Sequence, residues 1–114
     1  MARGWHIQKD QGQVTLSRQL PARFDVQAAT TLPHANMVRL VSQIRQDLWR
    51  ALQNLRGFSP VVQITKGPDD LTVQAGGRML GPISAKTIEQ IEAVLENPKN
   101  RARWLRCSQD RKRP

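Results

Sequence analysis

The residues whose types could do chemistry gather at the C-terminus, in PKNRARWLRCSQDRKRP. Arg101, Arg103, Arg106, Arg111, Lys112 and Arg113 crowd cationic groups together, with Trp104 among them. Cations at this density neutralise phosphates and release the counterions condensed on a nucleic acid. An interleaved indole adds a flat ring on which an unpaired base could stack. The plainer alternative is a basic tail on a soluble domain, with Trp104 docking the last helix to the core.

A second group lies in residues 33–56. Arg39, Arg45 and Arg50 occur there with Gln43, Gln46, Gln53 and Asn54, and Asp47 is the only acid of the segment. A helix face that is merely solvated usually mixes both signs, because Glu–Lys pairs add stability. Arginines and amides instead donate to phosphates and base edges. Trp49, beside Arg45, has two readings: a ring for stacking, or a widening of the apolar stripe. The second is the commoner fate of tryptophan.

Other chemistries are poorly served. His6 and His34 have no metal-ligand spacing with each other or with a cysteine. Asp69 and Asp70 are adjacent in a turn-forming stretch, Gly67-Pro68-Asp69-Asp70, with no distant carboxylate paired to them for acid–base or two-metal work. Cys107 stands near Arg103 and Arg106 but has no histidine beside it. Gly76-Gly77-Arg78 lacks the glycine spacing and the Lys-Ser/Thr ending of a phosphate loop. No catalytic residue, cofactor or metal is therefore expected.

These groups must be positioned by a small number of elements. Met37, Val41, Ile44, Leu48, Leu52 and Leu55 recur at helical spacing, which predicts one long helix over 33–56. Pro33 suits its first turn, with Thr31 as cap, and Gly57 its end. Residues 5–9 and 13–17 alternate as a hairpin about Asp10-Gln11-Gly12, with Trp5, Ile7, Val14 and Leu16 inward. Residues 18–30 are irregular, either loop or a further short strand around Phe24 and Val26. Residues 60–66 and 71–75 predict a second hairpin, Gly76-Gly77 a turn or bulge, and residues 78–80 a short third strand. Ser84 caps a helix over 85–96, with Ile88, Ile91, Val94 and Leu95 on its apolar side and Glu89, Glu92 and Glu96 outward. Asn97-Pro98 breaks it before a last helix over 99–106.

The expected fold is α+β: a small antiparallel sheet, made of the N-terminal hairpin and the 60–80 meander, packed against the central helix, with two C-terminal helices. Residues 1–106 read as a single domain and 107–114 as a basic tail. From Met37 to Glu96 the order helix, strands, helix is superficially similar to a double-stranded-RNA-binding domain. That family gathers lysines at the start of its second helix, where only Lys86 stands here, so membership is not inferred.

The net charge is +9. It is concentrated: residues 99–114 hold seven Lys+Arg against one Asp, and residues 1–98 hold eleven against eight acids. Such a charge favours a polyanionic partner. A lone cysteine excludes an internal disulfide and fits a reducing compartment, and no apolar run is long enough to span a membrane. A cytoplasmic, non-enzymatic nucleic-acid-binding domain is the leading expectation, with Arg39, Arg45, Trp49, Arg50 and the C-terminal cations as its contacts. A regulator docking on an acidic protein is the second.

Overall fold

The structure, a computed structural model, describes residues 4–109. Strand β1 (His6–Asp10) turns back at Gly12 into β2 (Gln13–Ser17). The Asp10 carboxylate accepts the Gln11 amide, and Gly12 takes φ +66°, a left-handed conformation that glycine adopts without steric penalty. Strand β3 (Val26–Leu32) follows, then helix α1 (Met37–Leu52), strands β4 (Phe58–Lys66) and β5 (Leu71–Met79), and helices α2 (Ala85–Glu96) and α3 (Pro98–Cys107). The five strands form one antiparallel sheet in the order β1-β2-β4-β5-β3. The α+β architecture read from the sequence is the one observed.

Several boundaries differ from expectation. Helix α1 begins at Met37 rather than at residue 33, because the Asn36 side chain accepts the Arg39 amide at 3.0 Å and so supplies the cap. Thr31 instead belongs to β3, and Pro33 and His34 lie between strand and helix. The helix ends at Leu52, and Gly57, at φ +73°, turns the chain into β4. Arg78 and Met79 do not begin a third strand but prolong β5. The strand's second neighbour is β3, whose pairing runs from Val26 opposite Gly77 to Leu32 opposite Leu71. Gly76 and Gly77 lie inside β5, where flanking backbones come very close. A Cβ at Gly76 would stand 1.9 Å from the Val26 carbonyl oxygen, and one at Gly77 2.0 Å from that of Ser59.

The apolar stripe of α1 (Leu40, Val41, Ile44, Leu48 and Leu52) is fully buried against the inward side chains of β2, β4 and β5, among them Leu16, Val62, Ile64 and Val73. Helix α2 adds Ile91, Val94 and Leu95, whereas Ile88 is exposed. Its Ser84 cap accepts the Thr87 amide. The outward sheet face is largely uncharged: Gln63 donates to Thr15, Gln74 to Gln27 and Gln13 to Thr65. Because β2 and β3 are separated by β4 and β5, residues 18–25 must cross the sheet as a strap. Arg78 ties it through the Pro21 carbonyl, and Asp25 accepts the Met79 amide at 2.9 Å.

Candidate nucleic-acid interface

The cations of α1 and α3 are brought together because the two helices pack on each other. Asn97 caps α3, its carboxamide oxygen accepting the Lys99 and Asn100 amides, and Pro98 occupies the first turn. At the other end the Ser108 carbonyl accepts the Asn36 amide at 2.7 Å, which ties the end of α3 to the start of α1. Between these ties sits Asp47. Its side chain, 11% exposed, accepts the Trp104 indole N–H at 2.6 Å, pairs with Arg103 through the same oxygen, and has Arg50 at 4.0 Å from the other. Trp104 is completely buried.

The two helices carry charge of one sign, with Arg45 on the flank of α1 away from α3 and Arg101 held against β3. Helix α1 contributes Arg39, Arg45 and Arg50, and α3 contributes Lys99, Arg101, Arg103 and Arg106, while Asp47 is the only acid on either helix. That acid is turned inward and neutralised. The acids of α2 are directed elsewhere, and they meet these cations at one border, where Glu96 lies 3.9 Å from Arg101.

The residues singled out in the sequence fall into distinct groups. Arg39, Arg50 and Arg106 are exposed and face solvent, Arg50 to 75% although its guanidinium lies 4.0 Å from Asp47. Arg103 is half-buried and shares its charge with Asp47. Arg101 is committed to the fold: it donates to Thr30 Oγ1 at 2.9 Å, to the Thr31 carbonyl at 2.6 Å and to the Leu95 carbonyl at 3.0 Å. It thereby covers polar backbone of β3, an edge strand of the sheet. Trp104 is core, so its ring offers no stacking surface. Arg111, Lys112 and Arg113 lie outside the described residues.

Whereas Trp104 is core, Trp49, for which the sequence left two readings, a stacking ring or a widened apolar stripe, is 38% exposed. Arg45 lies one turn before it on α1, its guanidinium over the Trp5 ring at 4.8 Å from the centroid, while Arg18 approaches the same ring at 5.5 Å. Burial pushes the Arg45 pKa down from its ordinary value. Arg18 was not legible as part of this cluster. It follows β2, and nothing in its local pattern announces an indole partner contributed from before β1.

Among the described residues no group of three His, Cys, Asp or Glu side chains is placed to hold a metal ion. No helix among them is long and apolar enough to cross a membrane. No protein-family model, curated protein or solved structure matches the chain.

Proposed function

We propose that this protein is a non-enzymatic nucleic-acid-binding domain that contacts phosphates through the joined outer surfaces of α1 and α3. The observation that carries the reading is the charge of these two packed helices: seven cations against one acid that is internally neutralised. Arg39, Arg50 and Arg106 are its principal phosphate contacts, because they are the exposed arginines of the two helices and, among the described residues, only Arg50 of them has an ion pair, a distant one with Asp47. Arg103 contributes a partly shared charge. The C-terminal cations Arg111, Lys112 and Arg113 follow α3 in the chain and extend the same basic segment. A single cysteine supports the cytoplasm as the compartment.

The test is a fluorescence-anisotropy titration with labelled DNA and RNA across a salt series. Binding whose logarithm falls linearly with the logarithm of salt concentration is expected, since phosphate contacts release counterions. Absence of binding at low salt sinks this reading. The second reading then takes its place: a small regulator whose positive charge docks on an acidic protein, with the acidic outer face of α2 (Glu89, Glu92 and Glu96) as a second docking surface.

A further inference from the structure

The flank of α1 turned away from α3 carries a different pairing of groups. At 3.6 residues per turn and 1.5 Å per residue, Arg45 and Trp49, four residues apart, are neighbours on one flank, about 6 Å apart along the axis. Asp47, which contacts α3, stands on the opposite flank. The outer residues Arg39, Gln46 and Arg50 lie between the two flanks. Each of the other indoles is accounted for: Trp104 donates to Asp47 in the core, and buried Trp5 lies under two guanidiniums. Trp49 has no such partner among the described residues and presents over a third of its surface to solvent.

Beside it, Arg45 makes no ion pair or hydrogen bond among the described residues, and its Nε is closed off from solvent. Its partner is the Trp5 ring, and that ring also attracts Arg18, so two cations meet here with no carboxylate paired to either among the described residues. A free flat ring one turn from an unneutralised guanidinium matches the two halves of a nucleotide, the base and its phosphate. In a duplex the base faces are stacked against one another and cannot reach a side chain on a convex helix. The outward face of the strands carries mainly glutamine, threonine and small residues, with His6 at the β1 edge and no Phe or Trp.

Resting on the nucleic-acid reading above, we infer that the preferred ligand is single-stranded, with one unpaired base stacked on Trp49 and its phosphate held by Arg45 and Arg18. Arg45 also packs over buried Trp5, so the informative substitutions are at Trp49 and Arg18, both exposed.

Wild type, Trp49→Ala, Trp49→Phe and Arg18→Ala are titrated by anisotropy against a labelled oligothymidylate, an oligouridylate and a DNA duplex of equal length. Thermal unfolding confirms that each variant is folded. Trp49→Ala is expected to lose about tenfold in affinity for the single strands, the size of one base–aromatic stack. Its salt slope and its duplex affinity stay unchanged, because no charge is removed. Trp49→Phe recovers most of the loss, and Arg18→Ala lowers the single-strand salt slope by about 0.7. Equal binding of duplex and single strand, indifferent to Trp49, overturns this inference while leaving the phosphate-contacting surface intact. Equal competition by polyglutamate, also indifferent to Trp49, overturns it in favour of an acidic polypeptide. Failure of wild type to bind any oligonucleotide removes both proposals together.

Discussion

Asp47 does three things with one carboxylate: it satisfies the indole N–H of Trp104, balances Arg103 and lies within reach of Arg50. A buried N–H that loses its acceptor costs about 1–3 kcal/mol, and bonds to a charged partner are at the upper end of that range. Asp47→Ala should therefore destabilise the fold by about 2–3 kcal/mol, read as a lower midpoint in chemical denaturation. An unshifted midpoint contradicts the role assigned to Asp47. The same residue explains why sequence periodicity left two readings open for each of two tryptophans. Trp49 and Trp104 both sit on amphipathic helices among arginines, and helical spacing does not say which flank another helix will cover. Asp47 was visible as the lone acid of its segment. Its partners, 56 and 57 residues away, were not.

At the scale of elements, the strap over residues 18–25 and the strand it delivers, β3, are the parts least legible beforehand. The β3 sequence VQAATTL is short of large apolar residues, and its partner β5 follows some forty residues later. Helix α1 was clear because its stripe repeats over four turns. Its start was not, since Pro33 reads as a first-turn residue and the Asn36 side chain decides otherwise. Asp25 anchors the end of the strap. Hydrogen bonding from Arg23, and then from the Met79 amide, holds its carboxyl below the usual carboxylate range. A depressed folded pKa means the stabilising contribution is complete above the unfolded value and is lost as pH falls through the folded one. The stability difference between wild type and Asp25→Asn should thus shrink as pH is lowered from about 6 to about 3, measured by thermal unfolding of both proteins in parallel. A difference independent of pH in that window argues that the carboxylate is not what ties the strap.

Over the whole molecule, charge is sorted by face. The α1 and α3 surface is cationic, the outer face of α2 carries Glu89, Glu92 and Glu96, and the outward sheet face is mostly neutral. Under the proposed function, Arg39→Ala, Arg50→Ala and Arg106→Ala combined should lower the slope of log affinity against log salt by about 2–3, close to one phosphate per arginine. Combined Glu89→Gln, Glu92→Gln and Glu96→Gln should leave that slope unchanged, since those acids lie off the contact surface. A slope that responds to the glutamates and not to the arginines would mean the binding face has been misassigned. Arg101 is the wrong probe for this purpose: its three hydrogen bonds into β3 and the α2 end make its loss a folding defect first.

The sequence by itself determined the fold class, the central helix with its buried stripe, both hairpins, the two C-terminal helices and the concentration of positive charge. These follow from local periodicity, turn chemistry and composition, which act over a few residues. Only the tertiary structure decided which cations remain exposed and which tryptophan is core. It also decided that a strand formed at 26–32 and that Trp5, Arg18 and Arg45 meet. Those outcomes depend on contacts between segments distant in the chain: burial follows from what packs against a face, and no residue's neighbours in sequence specify that.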